Sequence, residues 1–114
     1  MLKNSCTFEA ERQGDTLILT LHGEIDHHSA VGVRTRMDEL IWADKPQKTV
    51  LDLSAIEFMD SSGLGLIMGR YSLMQKLGGE LTVRHPNPRI VKILELAGLG
   101  RMVKIEEVKE EKKS

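Results

Sequence analysis

The chain has 114 residues and a mass of 12.8 kDa, which is the size of one ordinary domain. Apolar residues make up 40% and charged residues 29% of the sequence, a balance that supports a single hydrophobic core. The formal net charge of −1 excludes a strongly basic nucleic-acid-binding surface and a polybasic membrane patch. The single cysteine, Cys6, excludes an internal disulfide and favours a reducing compartment.

The two ends of the chain carry little structural signal. Residues 1–5 lack the long apolar core of a secretory signal, and no apolar run approaches the roughly 20 residues that cross a bilayer. We therefore expect a cytoplasmic protein with neither a membrane nor a nucleic acid as a direct partner. Residues 107–114 mix Glu with Lys and are predicted to form a frayed tail. A single domain over 1–114 is expected, ordered over about 6–106.

The first elements are predicted to be two paired strands. Residues 7–12 alternate apolar and polar side chains, as a half-buried edge strand does, and residues 16–21 form a stronger strand. The turn-forming residues 13–15 lie between them, so the two strands are expected to form an antiparallel hairpin. Gly23 is predicted to end the second strand.

A helix of about 14 residues is predicted next, because Asp26 and Ser29 both suit its N-cap. Its apolar stripe at helical spacing comprises Ala30, Val33, Met37, Leu40 and Ile41. A central strand over 49–53 and a loop over 54–57 are predicted to follow it.

The second helix is predicted over residues 62–77, ended by Gly78 and Gly79. It carries two apolar faces, the first with Leu64, Ile67, Met68, Tyr71 and Met74, and the second with Leu66, Arg70, Leu73 and Leu77. One face is enough to bury a helix in its own fold, so the second is predicted to remain for a partner. Gly65 and Gly69 leave another side nearly bare, which permits close approach of a strand or another protein.

The last third of the chain is predicted to contain a strand over 80–84, a helix started by Asn87 and Pro88, and a short strand over 102–105. Strands that alternate with helices indicate an α/β fold. We predict a mixed sheet with an N-terminal antiparallel hairpin and helices packed against it. The loops after the second and central strands are expected to meet at the carboxyl edge of this sheet, where sites in such folds lie.

Three patterns that suggest catalysis or ligand binding are weak. Gly63, Gly65 and Gly69 resemble a dinucleotide-binding fingerprint, but the third glycine lies one residue too far along and the chain is too short for that fold. A serine nucleophile with His27 and Asp26 lacks the Gly-x-Ser-x-Gly elbow of serine hydrolases. The adjacent residues His27 and His28 point in different directions and do not form a metal site alone. We expect no catalytic residue, metal or cofactor.

The two serines at the start of the second helix, Ser61 and Ser62, leave two roles open. A serine hydroxyl at this place commonly caps the helix by accepting a free backbone N–H. Only one of the two occupies the cap position, so the other is available for modification. A phosphate there adds about −1.5 to −2 charges, which the helix N-terminus favours and the neighbouring Asp60 opposes.

The residues around these serines resemble a known family. Gly23–His28 (GEIDHH) and Phe58–Tyr71 (FMDSSGLGLIMGRY) are similar to segments of the anti-sigma factor antagonists, the STAS-domain proteins of bacteria, and closest to the sporulation members. The resemblance extends from Thr7 to Ile105, and Asp60–Gly65 is its most specific part. The segment around Cys6, Gly100 and the charged tail depart from the family pattern.

This resemblance implies a STAS-like fold and a binding protein without catalysis of its own. The unphosphorylated form is expected to bind an anti-sigma factor that is also a serine kinase, with its ATP or ADP, and to release the sigma factor. The kinase then phosphorylates the serine after the aspartate, which is Ser61 here, and a serine phosphatase restores the free form. ATP and magnesium belong to the kinase, so this chain is expected to hold no cofactor.

The resemblance also implies a partner-binding surface, whose expected members are Asp26, His27, Asp60, Ser62, Gly63, Leu64, Leu66 and Arg70. Ser62 is expected to be the structural serine and the helix cap. A STAS scaffold in a larger stress-signalling complex is the alternative function. A small enzyme with Ser61 as its nucleophile is a third hypothesis, which predicts turnover of an activated ester.

Overall fold

A computed structural model describes residues 6–107 of the chain, which form one five-stranded sheet and three α-helices. The strands are β1 (Thr7–Gln13), β2 (Thr16–Ile25), β3 (Lys48–Met59), β4 (Glu80–Arg84) and β5 (Lys104–Glu106). The helices are α1 (His27–Asp44), α2 (Ser62–Lys76) and α3 (Pro88–Leu96), followed by a 3₁₀ turn at Leu99–Arg101. The predicted tail lies outside the described residues, apart from Glu107.

The strands lie in the sheet in chain order, β1-β2-β3-β4-β5. The first pair is antiparallel and closes at Gln13 opposite Thr16, whereas the other three pairs are parallel. The predicted α/β fold, a mixed sheet with an N-terminal hairpin, is therefore confirmed. No helix within residues 6–107 is both long and apolar enough to cross a membrane.

One face of the sheet and all three helices form a single hydrophobic core. Alternate residues of β2, namely Leu17, Leu19 and Leu21, lie in this cluster, as period-two alternation requires. The other fully buried members of largest volume are Ile25, Met37, Ile41, Leu51, Leu53, Ile56, Ile67, Met74, Ile90 and Leu94. On the other face of the sheet, Ile18, Val50 and Thr82 lie side by side on β2, β3 and β4. Ile18 and Val50 are buried, but they do not belong to the core cluster.

Two strands are longer than the sequence predicts. The prediction that Gly23 ends β2 is wrong, because the strand passes through Gly23 at a φ of 94° and continues to Ile25. The predicted loop over 54–57 is also wrong, since these residues belong to β3. The pairing of β2 with β3 continues to the ends of both strands, and its register shifts twice, after Thr20 and after Gly23.

In the second half of β3, the side chain of Asn87 takes the place of the neighbouring strand β4. Pairing with β4 ends at Asp52 opposite Arg84. Beyond that point the Nδ2 of Asn87 donates to the carbonyl oxygens of Ile56 and Glu57, each at 3.3 Å. Asn87 also caps α3, because its Oδ1 accepts the backbone N–H of Ile90 at 2.9 Å. One residue therefore continues the sheet edge and starts the next helix.

The second face of α2 is buried, so the prediction that it remains for a partner is wrong. Leu66 is 3% exposed and Leu73 is 8% exposed, and both belong to the core. Arg70, also 3% exposed, forms an ion pair with Asp38 of α1, with Nε 2.9 Å from Oδ1 and Nη2 donating to Oδ2 at 3.3 Å. Packing against α1 explains this burial. Leu66 and Arg70 therefore hold α2 in place, and their role in binding a partner stays a prediction.

We expect the two partners of this ion pair to differ in their effect on stability. Asp38→Ala leaves the buried Arg70 guanidinium without its carboxylate and lowers the free energy of unfolding by about 1–3 kcal/mol. Arg70→Met removes the buried charge and keeps most of the packing, so its cost is smaller. Urea unfolding of the two variants measures both values. A larger loss for Arg70→Met than for Asp38→Ala contradicts this interpretation.

Candidate functional site

The starts of α1 and α2 lie side by side because β2 and β3 end together. Ile25 and Met59 are paired at the carboxyl ends of these parallel strands. The backbone N–H of Asp60 extends the pairing by donating to the carbonyl of Ile25 at 3.1 Å. Asp26 and Asp60, which follow the paired residues, therefore lie at the same edge of the sheet. The predicted meeting of these two loops is confirmed.

Asp26 is the N-cap of α1. Its Oδ1 accepts the backbone N–H of Ser29 at 2.8 Å and the Ser29 hydroxyl at 3.1 Å. The backbone N–H of Asp26 donates in return to Ser29 Oγ at 3.4 Å, which completes a capping box. The hydrogen bond from the Ser29 backbone is the main cause that holds the pKa of Asp26 below its ordinary value. Asp26 is therefore an ionised, structurally engaged carboxylate.

Asp60, one residue before the N-cap position of α2, accepts a free backbone N–H of this helix. Its Oδ1 accepts the backbone N–H of Ser62 at 2.8 Å and also accepts the Ser62 hydroxyl. The hydrogen bond from the Ser62 side chain is the main cause that holds the pKa of Asp60 below its ordinary value, with burial acting in the opposite direction. Ser62 was expected to be the cap, and this is wrong. Asp60 accepts the free N–H, and Ser62 donates to it.

Ser61 stands at the N-cap position of α2, yet its side chain makes no capping hydrogen bond. The residue is exposed, and its backbone carbonyl accepts the N–H of Leu64 at 3.1 Å. The sequence left open which serine is structural and which is available. The geometry engages the hydroxyl of Ser62 and leaves the hydroxyl of Ser61 outside the cap.

Gly63 lets the first turn of α2 pack closely against the end of β3. A Cβ on Gly63 overlaps the side chain of Met59, so only glycine lets the first turn of α2 lie this close to the end of β3. Gly63 is buried, and the expectation that it lies on a partner-binding surface is wrong for this reason. The absence of its side chain lets the turn that carries Ser61 and Ser62 pack against Met59.

Gly65 and Gly69 differ from Gly63, because a Cβ on either meets no atom within 4 Å. The sequence permits close approach of a strand or of another protein to these glycines, and within residues 6–107 no strand approaches them. A glycine inside a helix costs about 0.5–1 kcal/mol relative to alanine. These two glycines carry that cost without a steric need in the described fold, and they leave bare helix backbone on the outside of α2.

Exposed apolar side chains occur on all three elements that meet at this edge, α1, β3 and α2. Val31, Phe58 and Met68 are 51%, 48% and 42% exposed. A groove of about 240 Å³ lies between α1 and α2, and we call it the α1–α2 groove. Its lining residues are His27, Ala30, Val31, Arg34, Ser62, Gly65 and Leu66.

The predicted site residues therefore fall into three groups. His27 and Ser61 are exposed, and Asp26, Asp60, Ser62 and Leu64 are half-buried at the same edge, whereas Gly63, Leu66 and Arg70 are buried behind them. Val31 and Arg34, which line the groove, were missed. The spacing of His27, Val31 and Arg34, at i, i+4 and i+7, is the signal by which the α1 side of the groove is recognisable. Within residues 6–107 no group of three or more His, Cys, Asp or Glu residues has metal-binding geometry.

We expect alanine at Gly63 and at Gly65 to have opposite effects on stability. Gly63→Ala lowers the free energy of unfolding by about 1–3 kcal/mol, because the new methyl group overlaps Met59. Gly65→Ala raises it by about 0.5–1 kcal/mol, because the helix gains a better helix former without a clash. Thermal and urea unfolding measure both. A destabilised Gly65→Ala variant contradicts the open position assigned to Gly65.

Comparisons with known proteins agree with this geometry. Residues 7–112 match the model of the STAS domain. The chain is 43% identical over 97 residues to an anti-sigma F factor antagonist of Paenibacillus polymyxa, covering 85% of this chain and 83% of the relative.

Two solved structures of SpoIIAA are also similar. The anti-sigma factor antagonist SpoIIAA in its unphosphorylated form aligns with a TM-score of 0.78 and 28% identity, covering 91% of this chain and 90% of that one. The Bacillus cell fate determinant SpoIIAA in its phosphorylated form aligns with a TM-score of 0.71 and 28% identity, covering 91% and 93%. The chain belongs to the STAS-domain family, whose members similar to it include anti-sigma factor antagonists.

Proposed function

We propose that this protein is an anti-sigma factor antagonist that phosphorylation of Ser61 inactivates. In the unphosphorylated state it binds an anti-sigma factor that is also a serine kinase, and so releases the sigma factor for sporulation-specific transcription. The observation that carries the proposal is the division between two adjacent serines. Asp60 engages Ser62, while the exposed hydroxyl of Ser61 takes no part in capping. The similarity to SpoIIAA, which has unphosphorylated and phosphorylated forms, supports it.

The chemistry at Ser61 is phosphoryl transfer with the chain as substrate. Ser61 Oγ attacks the γ-phosphorus of the ATP that the kinase holds, the bond to the β-phosphate oxygen breaks, and ADP leaves. The hydroxyl proton passes to a base of the kinase. A phosphatase reverses the modification by hydrolysis of the phosphate ester. The chain supplies the acceptor hydroxyl and its position, and no catalytic group.

The docking surface in this proposal surrounds Ser61. It comprises the half-buried Asp26, Asp60, Ser62 and Leu64, and the exposed His27, together with the bare backbone at Gly65 and Gly69. Bare backbone lets a partner approach α2 more closely than side chains permit. The exposed apolar side chains of Phe58 and Met68 lie in the same part of the chain and supply area for burial.

Electrostatics explain why a phosphate here blocks docking. The N-terminus of α2 favours an anion, but the ionised Asp26 and Asp60 flank the site and repel one. A phosphate of about −1.5 to −2 charges adds to this negative edge. A partner that covers it must desolvate a dianion beside two carboxylates, which costs several kcal/mol. A change of about 5.5 kcal/mol moves a complex from almost fully formed to almost fully dissociated.

We expect the kinase to phosphorylate Ser61 alone. The protein is incubated with an anti-sigma factor kinase and ATP, and the phosphate is located by mass spectrometry. Ser61→Ala takes up no phosphate and stays bound to the kinase, whereas Ser61→Asp binds poorly. Ser62→Ala still takes up phosphate on Ser61. Ser72→Ala, an exposed serine on the same helix, serves as the matched control and behaves as the wild type.

Two outcomes contradict the proposal. Phosphate on Ser62, or on neither serine, shows that Ser61 is not the acceptor. Failure to bind the kinase, combined with capture in a larger complex that contains no kinase, favours the alternative of a STAS scaffold in stress signalling. Turnover of an activated ester by the isolated protein supports the third hypothesis, an enzyme with Ser61 as its nucleophile.

A further inference from the structure

The contact between α1 and α2 around Arg34, Asp38 and Arg70, which we call the seam, holds more positive than negative charge. Arg34 and Asp38 lie one turn apart on α1, and Arg70 of α2 pairs with Asp38. Arg34 is exposed and has no ion-pair partner among residues 6–107. Nη1 of the buried Arg70 has no hydrogen-bond partner there either. The seam therefore contains two guanidinium groups and one carboxylate, which pairs with Arg70.

The two guanidinium groups are close enough to affect each other. The pKa of Arg70 is lowered mainly by burial, and the positive charge of Arg34 lowers it further, while Asp38 raises it. An anion beside Arg34 relieves this repulsion. Arg34 is the exposed one of the two guanidinium groups, so it is the one that an anion of a partner can reach.

The α1–α2 groove brings Arg34 next to the phosphoacceptor turn. Arg34 lines the same groove as His27 and Ser62, and its floor is the bare backbone at Gly65 and the buried Leu66. Its volume of about 240 Å³ is below the range of roughly 300–1,000 Å³ typical of drug-sized ligand pockets. The groove therefore suits a single side chain of a partner better than a nucleotide.

We propose that the α1–α2 groove binds an acidic side chain of the anti-sigma factor, with the carboxylate paired to Arg34. The methylene groups of that side chain lie over Val31, Gly65 and Leu66. This inference rests on the proposed function, because it assigns a specific contact within that docking surface. In this proposal the partner recognises the positive charge of Arg34, which lies beside the negative charges of Asp26 and Asp60.

Two substitutions at Arg34 test the contact by calorimetric titration with the ADP-bound anti-sigma factor. We expect Arg34→Ala to weaken binding about tenfold, which corresponds to about 1.4 kcal/mol. Arg34→Glu weakens it further, because the acidic side chain then meets a like charge. The dependence of affinity on salt concentration decreases in both variants. Arg89→Ala, an exposed arginine on α3, is the matched control and binds as the wild type.

The outcomes separate this inference from the proposed function. If the wild type binds and both Arg34 variants bind equally well, the contact is refuted while the proposed function stands. If the wild type does not bind, the proposed function fails first. Repeating the titration with nucleotide-free anti-sigma factor identifies the anion. If the Arg34 substitutions no longer weaken binding without nucleotide, the anion is a nucleotide phosphate. That result contradicts the proposed acidic side chain.

Rescue gives a second, independent measurement. Each acidic residue on the surface of the anti-sigma factor is changed to Lys and combined with Arg34→Glu. We expect one such change to restore affinity at least tenfold, because it re-forms the ion pair with reversed charges. Arg34 is exposed on its helix, so circular dichroism and thermal unfolding of the variants remain close to the wild type. The absence of any rescuing residue contradicts the proposal.

Discussion

The hydrogen bond from the backbone N–H of Asp60 to the carbonyl of Ile25 joins the starts of α1 and α2, where the proposed docking surface lies. It extends the pairing of β2 and β3 by one step, so both strands give way to helices at the same edge. Each helix then begins with an aspartate that engages a nearby serine, Ser29 or Ser62. This arrangement leaves the hydroxyl of Ser61 out of the cap. Asp60 accepts the free N–H that a serine at this position commonly accepts itself.

The same arrangement gives the site its electrostatic character. Two carboxylates, both with lowered pKa values, stand beside an exposed hydroxyl at a helix N-terminus. In the proposed switch, a phosphate is tolerated by the helix and opposed by the carboxylates, so its effect falls on the partner that has to cover it. We therefore expect little backbone change on phosphorylation. Farther along the same seam, Arg70 pairs with Asp38, and Arg34 has no ion-pair partner among residues 6–107.

Local patterns predicted most of the fold, and long-range packing determined the rest. The hairpin, the helix caps at Asp26 and Asn87 and the stop after α2 all follow from residues close in sequence. The full length of β3 does not, because its second half pairs only with β2, across two register shifts. Asn87, thirty residues away, takes the place of β4 on the other side. The burial of Leu66 and Arg70 depends on α1, which no periodicity within α2 reveals. Which serine Asp60 engages is decided by side-chain geometry that spacing alone leaves open.

The measurement that tests the central claim most directly is a titration of the Asp60 carboxyl group by NMR in three proteins. The wild type and Ser61→Ala are expected to share a pKa below the ordinary aspartate value. Ser62→Ala is expected to raise it, because the side chain of Ser62 is the main cause of the lowering. A raised pKa in Ser61→Ala, with no change in Ser62→Ala, contradicts the assignment of Ser62 as the engaged serine and of Ser61 as the available one.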